Sequence, residues 1–199
     1  MSIDVGQRRR FSPDARREQI LSVAVRLFGE RGYAEVSTTD VAREAGVARG
    51  LINHYFGTKK DLYLEVIHVM LTVPPVALAS LPGGDLPTRI DAIVGWFLDV
   101  VSRHSQSWLA AITAGGMAGD AEVDRAISSA IDAAADAVLT AVGFTAVTPA
   151  MHAMARSYVG LATSTAREWL ERGLLTRAQV HRLLSLTLLT MVTSVFADE

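Results

Sequence analysis

Residues 37 to 56 read Ser37-Thr38-Thr39-Asp40-Val41-Ala42-Arg43-Glu44-Ala45-Gly46-Val47-Ala48-Arg49-Gly50-Leu51-Ile52-Asn53-His54-Tyr55-Phe56, and their reading decides the fold. Ser37 with Asp40 three residues on is a near capping box, so a helix begins there. It ends after about two turns at Gly46, which can take the positive φ of a tight turn. A second short helix follows from about Ala48 to Tyr55. Ala42 is small enough for the two to cross closely. Val41, Val47 and Ile52 fall on the side that faces a core containing Leu27 and Phe28. Two short helices joined by a glycine turn make a helix-turn-helix. Arg49, Gly50, Asn53 and His54 remain on the outer face of the second helix, where their donors and acceptors suit a major groove.

The flanking segments continue the helical pattern. Upstream, Ser12 is an N-cap, Pro13 takes the first helical position and Asp14 sits in the first turn. The buried stripe of that helix is Ile20, Leu21, Ala24, Leu27 and Phe28, and Gly32 closes it. Downstream, Thr58 and Asp61 start a helix carrying Leu62, Val66, Val69 and Val73 as far as Pro74-Pro75. Lys59 and Lys60 lie in its first turn, where the macrodipole disfavours cations unless a phosphate is beside them. Thr38 and Thr39 can offer hydroxyl and backbone N–H groups to another phosphate. Leu81-Pro82-Gly83-Gly84-Asp85 reads as a linker. Beyond it come helices from Pro87 to about Arg103, around Trp108 to Thr113, from Ala121 to Val142, from Thr148-Pro149 to about Arg172, and from Thr176 to about Ala197. No strand-like alternation occurs, so the fold class is all-α.

The run Gly32-Tyr33, Ser37 to Val47, Gly50, Tyr55-Phe56, Lys59 and Leu62 closely resembles the TetR-type DNA-binding domain. The motif covers about residues 14 to 62. The resemblance implies an N-terminal three-helix helix-turn-helix domain and a larger helical-bundle domain for ligand and dimerisation. The division expected is a basic N-terminal arm at 1–11, the DNA-binding domain at 12–73, and the ligand-binding and dimerisation domain at 74–199. The resemblance further implies a homodimeric transcription factor, usually a repressor, released from a pseudo-palindromic operator in double-stranded DNA by a small-molecule effector. By position, Ala48 to Tyr55 become the recognition helix, including Gly50 and Leu51. Thr38, Thr39, His54, Tyr55 and Lys59 become phosphate contacts or neighbours of them. Arg49 is the expected base reader, because its guanidinium can fork onto guanine O6 and N7. Three positions depart from the family's habit. Leu51 stands where Thr is frequent, Asn53 replaces a phosphate-contacting Tyr, and Gly57 replaces a common Pro. Asn53 can read adenine or hold a phosphate, and the sequence does not choose.

Composition bounds the other readings. The chain has 199 residues, 50% of them hydrophobic, with a formal net charge of -2. Its first 68 residues carry 11 Lys+Arg against 9 Asp+Glu, and the remainder 8 against 12. The absence of cysteine excludes disulfides, thiolate metal sites and a Cys nucleophile. The arginines near the start precede no apolar segment, so no secretory signal is read there. The longest apolar stretch, Leu183 to Ala197, is interrupted by Ser and Thr, and a cytoplasmic protein without a membrane partner is expected. Arg8-Arg9-Arg10 is a minor-groove arm or a solvated tail, with the two readings balanced. Arg16 and Arg17 read as a solvent face. The four histidines His68, His104, His152 and His181 show no metal-ligand spacing, so no metal, cofactor or catalytic residue is expected. Gly115 to Gly119 lacks the strand and the Lys-Ser/Thr ending of a phosphate loop and reads as a helix break.

In the second domain, Trp96, Phe97, Trp108, Met117, Met151, Met154 and Tyr158 are the candidate lining of a ligand cavity, against ordinary bundle core as the plainer reading. Few charges fall inward, so the expected ligand is apolar or aromatic. The last two helices offer more apolar surface than one small bundle hides. Leu161, Trp169, Leu170, Val180, Leu183, Leu184, Leu188, Met191, Val192 and Val195 are the candidates for a four-helix dimer interface. The competing function is an all-helical carrier or enzyme with an architectural helix-turn-helix. A third is a family member that activates or needs no effector.

Overall fold

Side-chain caps set the helix starts, as the sequence signals require. The computed structural model describes residues 12–113 and 117–196; the Arg8–Arg10 arm, the Gly115-Gly116 break and the helix end at Ala197 fall outside them. Ser12 accepts from the Ala15 N–H at 3.2 Å and opens α1 (Pro13–Glu35), whose helical geometry breaks at Gly32. Ser37 and Asp40 form a complete capping box at the head of α2 (Thr38–Glu44): Ser37 Oγ accepts from the Asp40 N–H at 3.1 Å, and Asp40 accepts from the Ser37 N–H at 3.0 Å. The Ser37 hydroxyl, which also donates to Asp40, the Ser37 N–H and the Arg43 guanidinium together hold the Asp40 carboxyl down at about 2. α3 (Arg49–Phe56) follows the turn, and a second full box, Thr58 with Asp61, opens α4 (Lys59–Leu71). Because a lost Ser cap costs about 1 kcal/mol, Ser37→Ala should lower the melting midpoint by roughly 2–4 °C. Calorimetry checks this, and an unchanged midpoint would mean that packing alone holds α2.

Ile20, Ala24, Leu27 and Phe28 of α1, Val41 of α2, Ile52 of α3 and Leu62, Val66 and Ile67 of α4 are buried in one apolar cluster. Val47 packs against it half-buried. The helices stay in place because each contributes one apolar stripe to this shared core.

The C-terminal part contains α5 (Pro75–Ala79), α6 (Leu86–Arg103), α7 (Ser105–Ile112), α8 (Ala121–Val142), α9 (Pro149–Leu170) and α10 (Arg177–Thr190), which runs into a π-helical turn at Met191–Val195. The short α5 was not signalled in the sequence; Pro75 starts it after the chain leaves α4 at Thr72. Within residues 59–79 an 18-residue window reaches a mean hydropathy of 1.7, so the segment is long and apolar enough to cross a membrane by composition alone. Here the helix is broken between Leu71 and Pro75, and Leu62, Tyr63, Val66 and Ile67 are consumed by the N-terminal core.

One assignment in α10 needs correcting. Val180, Leu184 and Leu188 are fully buried within the chain, against Ile90, Ile93 and Val94 of α6. They are bundle core and not available to a second copy. The outward stripe is shifted: Leu183 is 43% exposed, Leu186 53% and Val195 43%.

Candidate nucleic-acid interface and ligand cavity

The turn between α2 and α3 is closed from several sides. Gly46, at φ +64°, lets the Val47 N–H reach the Ala42 carbonyl at 3.0 Å. The Gln19 side chain of α1 donates to the Ala45 carbonyl at 2.8 Å, satisfying the end of α2. Ala42 and Ala45 are buried where the helices cross. On α3, Ile52 and Phe56 point into the core. Ala48, Arg49, Gly50, Asn53 and His54 are exposed, while Leu51 and Tyr55 are half-buried. Tyr55 packs on the core and meets the His54 ring edge-on, with centroids 5.2 Å apart. Thr39 is exposed and Thr38 half-buried, both at the start of α2. The structure therefore brings one set of exposed donors together along α3 and another at the α2 N-terminus.

Gly57 answers the question raised by its departure from Pro. Its φ of +81° is outside the range of a proline ring. The following turn is instead held by the Thr58–Asp61 box, with the Thr58 hydroxyl donating to Asp61 at 2.7 Å.

Lys59 is aimed by aromatics. Phe28 and Tyr63 meet edge-on at 5.1 Å, Tyr63 and Tyr33 lie 5.0 Å apart, and the Lys59 ammonium sits 4.1 Å from the Tyr33 ring centre. The ring face attracts the cation, yet partial burial still lowers the Lys59 pKa. Lys59 also opens α4, where the dipole opposes positive charge. A phosphate set against it would relieve both penalties.

Lys60 does something else. Its ammonium bonds Asp120 at 2.9 Å and also Glu122, the residues that start α8. Its pKa is raised, chiefly by the bonds to Glu122 and Asp120. Lys60 thus ties α4 to the C-terminal bundle, its charge met by two carboxylates of α8. Its partners lie 60 and 62 residues away in sequence, so no local pattern revealed them. Arg17, read as a solvent-facing residue, pairs with Glu65 at 2.9 Å and lies over the Phe56 ring. A further joint is the Ser107 hydroxyl of α7, which donates to the Val25 carbonyl of α1 at 3.1 Å.

A cavity of about 410 Å³ lies between the end of α4 and helices α6 to α10. Trp96, Phe97, Trp108 and Tyr158 line it as expected. The three methionines do not. Met117 packs on the N-terminal core, Met151 is buried with Ala135, Leu139 and Phe196, and Met154 faces a shallow groove between α9 and α10. Periodicity places an apolar residue inward without saying which of several internal surfaces it meets. The sequence reading also missed Val69 to Pro74, the contribution of α4 and its exit, and Ile127, Ile131 and Ala134 of α8. Among the described residues the lining holds no Asp, Glu, Lys or Arg. His152 and His181 are each set beside a carboxylate instead, Asp136 and Asp91 respectively.

Two family descriptions match the chain. "Bacterial regulatory proteins, tetR family" covers residues 20–66, and "Tetracyclin repressor-like, C-terminal domain" covers residues 86–191. Over 56 residues the chain is 45% identical to the HTH-type transcriptional regulator BetI of Agrobacterium fabrum, covering 28% of this chain and 27% of that protein. Over 107 residues it is 35% identical to the HTH-type transcriptional activator FasR of Mycolicibacterium smegmatis, covering 52% and 49%. The chain thus spans half or less of the length of these curated relatives. A tetR-family transcriptional regulator from Streptomyces coelicolor superposes with a TM-score of 0.73 at 26% identity, over 95% of this chain and 85% of that one.

Proposed function

The chain belongs to the TetR family of bacterial transcriptional regulators, and from that membership we propose that it is a homodimeric repressor released from its operator by a small apolar or aromatic ligand. The observation that carries the DNA-binding part is the exposed row Arg49, Gly50, Asn53 and His54 on α3, held outward by buried Ile52 and Phe56. Arg49 reads a base edge. Thr38, Thr39, Tyr55 and Lys59 contact or neighbour the phosphates, and Ala48, Gly50 and Leu51 shape the helix surface against the groove. We divide the chain as 1–11 arm, 12–73 DNA-binding domain, and 74–199 ligand and dimer domain, acting in the cytoplasm.

The dimer uses α9 and α10. Leu183, Leu186 and Val195 are exposed there, beside the groove formed by Met154, Leu161 and Met191. Isologous pairing of this face sets two α3 helices for successive major grooves, about 34–36 Å apart or a multiple of it. The effector occupies the 410 Å³ cavity, whose size falls in the usual ligand-site range. Since α4 both starts under the DNA-binding face and ends in the cavity wall, a ligand preferring one placement of α4 changes the separation of the two α3 helices.

The test combines sedimentation with selection of binding sites from random DNA. A dimer enriching a two-fold symmetric site is expected, and compounds that raise the melting midpoint should weaken binding to that site. A folded protein that enriches no sequence would overturn the DNA-binding reading. The alternative, a carrier with an architectural helix-turn-helix, would then remain.

A further inference from the structure

Lys59 and Lys60 are neighbours in the first turn of α4, and the fold treats them in opposite ways. The Lys60 ammonium is met by Asp120 and Glu122, so its charge is answered within the chain. Lys59 meets no carboxylate among the described residues, and its ammonium sits over the Tyr33 ring instead. Accordingly, carboxylate bonds raise the Lys60 pKa, while burial lowers that of Lys59. An aromatic face attracts a cation without neutralising it, and leaves its N–H groups for an acceptor.

The Tyr33 ring is itself held by both helices it touches. Gly32, at φ 73° and ψ 170°, interrupts the helical geometry of α1 one residue earlier, and Tyr33 is half-buried beyond the break. From α1, Phe28 stacks against it with ring centres 6.1 Å apart and planes 17° apart. From α4, the buried Tyr63 lies 5.0 Å away. Tyr63 stands four residues beyond Lys59, so the two share one face of the helix and Tyr33 meets both. The ring is therefore a fixed platform, and the four-carbon lysine stem is the part that adjusts to it.

We propose that Tyr33 is a positioning residue for DNA binding, its ring holding the charged Lys59 ammonium where a backbone phosphate meets the first turn of α4. This rests on the reading of Lys59 as a phosphate contact. A lysine free in solvent loses rotamer freedom when it grips a phosphate, and that loss is subtracted from affinity. A lysine already resting on a fixed ring has given up the freedom beforehand. Tyr33 touches no DNA in this scheme and acts only through Lys59, so its contribution is the same for every base sequence.

Fluorescence anisotropy titrations of the intact protein test this on two duplexes of equal length, one carrying the enriched two-fold site and one scrambled. Tyr33→Leu should weaken both alike, by roughly two- to tenfold per protomer, the cost of ordering one long side chain on binding. Tyr33→Phe keeps the ring face and should bind as the parent does. Replacement of Tyr33 by pentafluorophenylalanine keeps the ring shape but removes the negative face. It should reproduce the loss, and it tests the same point if the leucine variant does not fold. The deciding measurement is made in a Lys59→Ala background, where Tyr33→Leu should cost nothing further. An equal loss with and without Lys59 would make Tyr33 a support of the fold alone and overturn the proposal. Parent-like affinity in a folded Tyr33→Leu protein, with Lys59→Ala weakened, would overturn it too. If Lys59→Ala itself leaves affinity and salt slope unchanged, the phosphate-contact reading falls and the role of Tyr33 with it.

Discussion

An Arg49→Ala dimer binds its selected operator more weakly by about 1–3 kcal/mol per half-site, the worth of a bidentate guanine contact. With two half-sites engaged, the full loss is about 2–6 kcal/mol, and discrimination at one symmetric pair of base positions disappears. Arg49 is the first residue of α3 and exposed, so its truncation leaves the core and the caps untouched. Fold and dimer should therefore survive, which circular dichroism and sedimentation verify. Lys59→Ala supplies the contrast. Its loss should weaken all sequences alike and reduce the slope of log affinity against log salt by about one per protomer. If Arg49→Ala instead behaved like Lys59→Ala, weakening every sequence evenly, Arg49 would be a phosphate contact and base reading would fall to Asn53 or His54.

The second large effect belongs to Gly29, on the face of α1 that meets α7. A β-carbon built there lies 2.7 Å from Ser107 Cα and 2.9 Å from Ser107 N. These are backbone atoms and cannot swing aside. Gly29→Val must therefore push α1 and α7 apart and break the Ser107–Val25 hydrogen bond. Overpacking of this kind costs about 1–3 kcal/mol, which lowers the melting midpoint by roughly 2–12 °C. Gly95→Ala is the control. No atom lies within 4 Å of its β-carbon, and an alanine in a helix interior should stabilise by about 0.5–1 kcal/mol. Equal responses from the two positions would refute the close-approach account.

Features written in short-range chemistry were legible from the sequence. Ser37 with Asp40, Thr58 with Asp61, and Gly46 each act within five residues, so they can be read before any fold is known. The outward set Arg49, Gly50, Asn53 and His54 followed from helical period alone. The partners of Lys60 were not legible because the charges that meet it arrive from α8. The methionines and the stripe of Val180, Leu184 and Leu188 were misplaced for another reason. A bundle of this kind has several apolar surfaces, namely core, cavity and groove, and hydrophobicity is the same signal for all three. The contribution of Val69 to Pro74 to the cavity was hidden by the same ambiguity, since those residues read as the tail of a DNA-domain helix.

The seam between the two parts has a bearing on how such proteins can be recombined. Gly29 against Ser107, and Lys60 against Asp120 and Glu122, join segments far apart in the chain, while the Leu81–Asp85 linker carries none of this traffic. A chimera built by splicing a foreign helix-turn-helix module onto this C-terminal bundle at the linker would inherit the covalent connection and lose the fitted one. To keep the seam fitted it must also carry a residue without a side chain at position 29 and a cation at position 60. The natural unit of exchange is therefore the pair of mating faces, and the cut site in the sequence matters less than keeping them matched.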